Sequence, residues 1–107
     1  ALRTREKLVA AFNDAMVGLD AAVTVSSHET LANLSDMQEV ERTYGRQARA
    51  PFNLIGNPAI AVPSGFHSNG LPLALQIVGR AFDEAMCFRI AWAIEQSLDL
   101  GSRRPPI

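Results

Sequence analysis

The sequence contains one set of side chains that could support nucleophilic catalysis, a pair of serines and a lysine. Ser26 and Ser27 are the only adjacent serines, and Lys7 is the only lysine. A serine nucleophile needs a base to take its proton and backbone N–H groups to hold the oxyanion. No glycine flanks the serines, and Lys7 lies in a run of charged residues. We therefore expect a strand end and a solvated helix face, with a hydrolase that uses Ser27 as the less favoured alternative.

Histidine, glutamate and cysteine offer the remaining candidate chemistry. His28 and Glu29 are adjacent, but the second histidine, His67, is distant in sequence. Because zinc usually takes three or four ligands, this pattern does not predict a metal site. Cys87 stands among apolar residues, which favours a buried and inert thiol. A single cysteine also excludes an internal disulfide.

The composition is that of a globular protein of one domain or less. The chain has 107 residues, of which 48% are hydrophobic and 20% charged, and its net charge is −1. The balanced charge gives no electrostatic reason to expect nucleic acid or an acidic membrane as a partner. The N-terminal stretch ALRTREKL lacks the apolar core of a signal peptide, so a cytoplasmic location is expected.

The first half of the chain predicts short helices and one strand. Apolar residues recur every three or four positions over residues 2–18, and Gly18 is a stop signal. Residues 21–27 are rich in β-branched side chains and predict a strand. A short helix is expected at residues 37–44, and another is expected to end at Gly56.

The second half predicts a β-hairpin over residues 58–79, followed by a helix over residues 83–98. Residues 58–63 and 73–79 are apolar without alternation, which is typical of strands covered on both faces. Asn69-Gly70 signals the turn between them, and Asp83 suits the helix N-cap. The apolar helix face is expected to contain Met86, Ile90, Ala93, Ile94 and Leu98, with Cys87 and Ala91 beside it.

These elements indicate an α/β fold class. Two or three strands make a poor sheet by themselves, and strands buried on both faces need further cover. We therefore expect residues 1–107 to be an incomplete domain, a fragment of a large mixed β-sheet flanked by helices. The absence of a starting Met fits either processing or excision from a longer protein.

The sequence resembles the C-terminal segment of the amidase signature family. The specific part comprises PFNLIGNPAIAVPSGF, GLPLALQIVGRAFDEA, RIAWAIEQS and RRPP. The stretch LRTREKLVAAFNDAMVGLDAAVTV is similar to a helix of that family and the strand after it. The matching positions are Asn53, Gly56, Pro58, Gly70, Leu71, Pro72, Gly79, Asp83, Glu84 and Glu95.

The resemblance implies an amidase, an enzyme that hydrolyses carboxamide C–N bonds through a Ser–cis-Ser–Lys triad. In that family the triad lies well N-terminal to the segment matched here, so this chain is expected to lack the catalytic residues and to be inactive in isolation. The resemblance also implies a small-molecule amide substrate and neither a metal nor an organic cofactor.

The resemblance also suggests residues that line the substrate cleft. Arg46, Arg49 and Phe52 precede the first hairpin strand, in a segment that faces the cleft in relatives; a solvated arginine or a packed phenylalanine is the alternative. In the family's glutamine-reading transamidases, an acidic residue near the Arg46 position meets the substrate's amino group, so arginine disfavours that role here. Asn53 is expected to hydrogen-bond backbone at the helix end before the strand.

Two hypotheses about partners remain open. In the first, the sheet edges pair with another copy or with the missing N-terminal part of the enzyme. In the second, the chain is a free-standing, non-enzymatic interaction module that uses the same edges. A gene that encodes a Gly/Ser-rich segment upstream of Ala1 would favour the first.

Overall fold

A computed structural model describes residues 1–105 as four helices and three strands. The order is α1 (Leu2–Ala15), β1 (Ala21–Val25), α2 (Met37–Tyr44), α3 (Ala50–Ile55), β2 (Ala59–Phe66), β3 (Pro72–Gly79) and α4 (Glu84–Leu98). Pro106, the last residue of the RRPP stretch, lies outside the described residues.

The observed helices match the predicted ones closely. The bounds of α2 are those expected, and α3 ends at Gly56, which has the left-handed φ of 81° that glycine permits. α1 is shorter than predicted because its last turn tightens at Met16, and the chain then turns at Gly18 with a φ of 77°. α4 begins as predicted, since the Asp83 carboxylate accepts a hydrogen bond from the Met86 N–H at 3.3 Å.

The predicted hairpin is the centre of the fold. β2 and β3 pair antiparallel, and β3 also pairs antiparallel with β1, which gives the order β1-β3-β2. The turn is closed by the Gly70 N–H, which donates to the His67 carbonyl at 2.8 Å. The prediction that the first hairpin strand ends at Pro63 was wrong, because β2 continues to Phe66. Proline is tolerated there because β2 is an edge strand within residues 1–105 and the register shifts between Pro63 and Gly65.

One face of the sheet is covered by α4. The core on this side is formed by Val62, Ile77, Cys87 and Ala91. The expected helix face was partly wrong, because Cys87 and Ala91 lie at its centre whereas Ala93 and Leu98 are exposed. The sheet contacts a narrower stripe of α4 than the apolar pattern suggests.

The opposite face of the sheet is buried only around the end of β3. Successive side chains of a strand point to opposite faces, so Val78 and Gln76 lie on the face away from Ile77. Both are buried, with 0% and 4% of their surface exposed, and the Gln76 Nε2 donates to the Thr24 Oγ1 at 3.1 Å. The end of β3 is therefore buried on both faces of the sheet, as expected for an interior strand. β2 is not buried on both faces by residues 1–105, because Ala59 and Ala61 are exposed.

Candidate functional site

The candidate site is the corner between α2 and α3. Residues 26–29, which directly follow β1, contact this corner. The His28 N–H donates to the Arg46 carbonyl at 3.2 Å, so the two segments are linked through their backbones. Glu29 adds a side-chain link, because its Oε1 lies 3.1 Å from the Arg42 Nη1 and 3.3 Å from the Arg46 Nε. One carboxylate thus holds two arginines of this corner.

The two predicted cleft arginines lie at this corner in different states. Arg46 is exposed, but its charge is partly neutralised by Glu29. Arg49 is the residue before α3, is exposed, and forms no ion pair within residues 1–105. A guanidinium in this state has donors free for a carboxylate or a carbonyl oxygen. Arg49 is therefore the better placed of the two to bind a ligand.

Phe52 is half-buried and faces α1. Its ring meets the Phe12 ring edge to face, with centroids 5.8 Å apart and an interplanar angle of 69°. Such pairs stabilise packing beyond the area that they bury. The observed contact therefore makes Phe52 part of the α1–α3 interface.

α1 also holds the end of α3 through Arg5. The Arg5 Nε donates to the Leu54 carbonyl at 2.9 Å, and its Nη2 donates to the Ile55 carbonyl at 3.5 Å. These carbonyls have no partner within the helix, and a cation at a helix C-terminus is favoured by the helix dipole. Sequence reasoning missed Arg5, because its partners lie 49 and 50 residues away.

The serine and lysine side chains do not form a catalytic pair within residues 1–105. The Ser27 Oγ accepts the Glu29 N–H at 3.2 Å, which is a local turn contact. Lys7 is exposed on α1 and makes no hydrogen bond to either serine among the described residues.

The described residues contain no group of three or more histidine, cysteine, aspartate or glutamate side chains placed to hold a metal. None of their helices has the length and hydropathy required to cross a bilayer.

The residues that precede β2, next to the α2–α3 corner, are hydrogen-bonded to the end of β3. The Asn57 Nδ2 donates to the Gly79 carbonyl at 2.9 Å, and the Gly79 N–H donates to the Pro58 carbonyl at 2.9 Å. The expected role of Asn53 was wrong, because its exposed side chain makes no hydrogen bond within residues 1–105 and Asn57 makes the contact at the strand. Burial raises the pKa of the Cys87 thiol, whose Sγ lies 3.7 Å from the Pro58 carbonyl.

The fold and the matched sequence together define the class of protein: the chain belongs to the Amidase family. The family model described as Amidase matches residues 1–88, which include the α2–α3 corner and the whole sheet. The resemblance and the α/β fold class inferred from the sequence are thereby confirmed.

Particular relatives narrow the comparison. A glutamyl-tRNA(Gln) amidotransferase subunit of Brevibacillus brevis is 58% identical over 55 residues, which are 51% of this chain and 11% of that protein. The crystal structure of the same kind of subunit from Thermotoga maritima superposes with a TM-score of 0.79 at 36% identity, over 88% of this chain and 21% of that chain. A 6-aminohexanoate cyclic dimer hydrolase superposes with a TM-score of 0.65 at 26% identity, over 88% of this chain and 22% of that chain. This chain thus spans about a tenth to a fifth of the length of these relatives.

Proposed function

We propose that residues 1–107 form the C-terminal part of an amidase that cleaves carboxamide C–N bonds with a Ser–cis-Ser–Lys triad outside this chain. The family match over residues 1–88 carries the proposal. Two further observations support it: this chain spans 21% of the solved Thermotoga maritima relative, and Ser27 and Lys7 make no hydrogen bond to each other within residues 1–105.

The reaction assigned to the whole protein is an acyl transfer. The serine oxygen attacks the amide carbonyl, its proton passes to the base, and the amine leaves after it receives a proton. Water then cleaves the acyl-enzyme and restores the serine. The part assigned to this chain is the wall of the substrate cleft, formed at the α2–α3 corner by Arg46, Arg49 and Phe52.

Each wall residue has a distinct role in the proposal. Arg49 contacts the substrate through its unpaired guanidinium. Arg46, held by Glu29, gives the wall its shape and a partly neutralised charge. Phe52 presents the part of its ring that Phe12 leaves uncovered and keeps α3 fixed against α1.

The test compares two proteins made from the same gene. The full-length product should release ammonia or amine from carboxamides, and the 107-residue chain should release none. Replacement of the signature serine in the full-length product should abolish release. Turnover by the 107-residue chain that is lost on Ser27→Ala would overturn the proposal, as would a full-length product that cleaves no amide.

A second candidate is favoured by the relatives that bear the name of a glutamyl-tRNA(Gln) amidotransferase, among them one 58% identical over 55 residues. In this alternative the parent passes the ammonia on to an acceptor instead of releasing it. Arginine at position 46, near which the family's glutamine-reading transamidases carry an acidic residue, counts against this role, whereas the sequence identity counts for it. Full-length protein that forms amidated glutamyl-tRNA only with partner subunits would establish the second candidate over the first.

A further inference from the structure

The middle of the chain carries positive charge without acidic residues. Residues 42–82 contain four arginines and no aspartate, glutamate or lysine. Three of the four, Arg42, Arg46 and Arg49, belong to the α2–α3 corner. A surface lined by charges of one sign raises the local concentration of ligands of the opposite sign. The charge of this corner therefore bears on which substrates it admits.

Negative charge reaches the corner from neighbouring segments of the described chain. Glu29 pairs with Arg42 and Arg46 through a single oxygen, Oε1. The Glu39 Oε1 lies 3.9 Å from the Arg42 Nη2. Glu41 is exposed on α2 and pairs with none of the three arginines within residues 1–105. Because both pairing carboxylates contact Arg42, the excess of positive charge lies on the side of α3.

Arg46 and Arg49 supply the free donors of this excess charge. Arg46 turns only its Nε toward Glu29, and its side chain is 59% exposed. The four N–H groups on its Nη atoms make no hydrogen bond within residues 1–105. Arg49 follows three residues later, a chain length of at most about 11 Å. Two long side chains this close can reach the same anion, and the arginine fork binds a carboxylate through two parallel hydrogen bonds.

An apolar surface adjoins Arg49. The Phe52 N–H donates to the Arg49 carbonyl at 3.2 Å, so the two residues are one helical turn apart. Residues three apart on a helix are neighbours, with Cβ atoms about 5–6 Å apart. The half-buried Phe52 ring, which Phe12 covers at one edge, therefore lies beside the guanidinium. This combination fits a ligand in which a carboxylate is joined to a hydrocarbon chain.

We propose that the substrate is an amide that carries a free carboxylate on a hydrocarbon chain and no ammonium group beside that carboxylate. The proposal rests on the proposed function, because it takes the α2–α3 corner to be a wall of the substrate cleft. The carboxylate binds Arg49 with Arg46 beside it, and the chain lies on Phe52. A neutral amide would make weaker hydrogen bonds to Arg49 than a carboxylate does. An ammonium group would be repelled by the arginines.

The test measures ammonia release from matched amides by the full-length gene product. The half-amides of succinic and glutaric acid are compared with the ω-hydroxyamides of the same length, in which CH2OH replaces the carboxylate. They are also compared with asparagine and glutamine, which add only an ammonium group. At least one half-amide should exceed its hydroxyamide about tenfold in kcat/KM, and should exceed its amino acid as well.

Three variants connect this preference to the corner. Arg49→Ala should lower the ratio of kcat/KM for half-amide over hydroxyamide about tenfold, whereas the distant, exposed Arg3→Ala should not change it. Glu29→Gln should raise the ratio several-fold, because it removes a negative charge but keeps an oxygen that accepts hydrogen bonds from Arg42 and Arg46. Melting temperatures show whether each variant is folded.

Calorimetry separates this proposal from the enzymatic one. It measures binding of each half-amide and hydroxyamide to full-length protein whose signature serine is replaced by alanine. Amide cleavage without preference for a half-amide, or a preference that survives Arg49→Ala, would overturn the inference and leave the amidase function intact. Faster cleavage of glutamine than of its half-amide would also overturn it. Tighter half-amide binding that Arg49→Ala weakens, in a protein that cleaves no amide, would support carboxylate recognition and reject the enzymatic function.

Discussion

Gly79 and Cys87 approach so closely that no side chain fits between them. A Cβ at position 79 would lie 2.7 Å from the Cys87 Sγ and 3.1 Å from the Asp83 carbonyl oxygen. We expect Gly79→Ala to lower the free energy of unfolding by about 1–3 kcal/mol, because overpacking forces side chains and backbone to move. Urea denaturation followed by far-UV circular dichroism measures this change.

Gly45→Ala is the matched control, because a Cβ at position 45 has no neighbour within 4 Å and the φ of Gly45 is −73°. It should leave stability almost unchanged. Because Cys87→Ala loses core packing of its own, the double variant is compared with both single variants: the loss in Gly79→Ala/Cys87→Ala should be smaller than the sum of the two single losses, since the nearest clash is removed. Additive losses would show that the Asp83 carbonyl, and not the thiol, sets the limit.

Cys87 should be an unreactive thiol in the folded protein. It is 3% exposed, and burial raises the pKa of its thiol, so little thiolate is present near neutral pH. Native protein should react with a thiol reagent at pH 8 far more slowly than protein in urea. Labelling at the same rate in both states would mean that α4 separates readily from the sheet.

The same thiol gives stability a predictable pH dependence. The folded protein holds this proton more tightly than the unfolded chain, because the pKa is raised on folding. The contribution is therefore present below the unfolded thiol pKa, about 8.5, and is lost as pH rises above it. Between pH 8 and pH 10 the free energy of unfolding should fall more steeply for the native sequence than for Cys87→Ala. Tyrosine and lysine titrate in both proteins, so the difference between the two slopes reports the thiol.

Local pattern was sufficient to predict most of the elements. The Asp83 cap lies within one turn of the N–H group that it binds, and the hairpin turn at Asn69-Gly70 is equally local. The extent of β2 was not predictable in this way. Proline usually ends a strand in the middle of a sheet, and only the strand order observed in the described part of the chain makes β2 an edge on which Pro63 is tolerated.

The side chains that hold the candidate site could not be predicted from local pattern. Arg5 reaches Leu54 across 49 positions, and Asn57 reaches Gly79 across 22. Glu29 is surrounded in sequence by residues that give no sign of its arginine partners. Such contacts depend on how α1, α3 and the sheet are packed, which periodicity does not specify.

Arg5 should stabilise the α2–α3 corner through α1. Arg5→Ala removes two hydrogen bonds to the end of α3, and we expect a loss of about 1 kcal/mol in the free energy of unfolding, since the stronger bond is exposed. Arg3→Ala is the control, because Arg3 is exposed on the same helix and makes no side-chain hydrogen bond among the described residues. Equal effects of the two substitutions in urea denaturation would argue that Arg5 acts only through surface charge.

Arg49 provides the most direct test of the proposed cleft wall. Its guanidinium is exposed and has no ion-pair partner within residues 1–105, so Arg49→Ala should leave the melting temperature of the full-length protein unchanged. If Arg49 binds the substrate, losing one charge-assisted contact of about 1.4 kcal/mol raises KM for the amide about tenfold. The kcat should change little, because such a contact is made equally in the ground state and the transition state.

Arg3→Ala and Arg49→Lys complete the Arg49 experiment. The first removes a distant exposed arginine and should not affect KM. The second keeps the charge but loses the planar pair of donors, so partial recovery of KM would indicate charge attraction, and no recovery would indicate two-point binding of a carboxylate or carbonyl. An unchanged KM in Arg49→Ala would remove Arg49 from the cleft wall, because no compensating ion pair is available to it among the described residues.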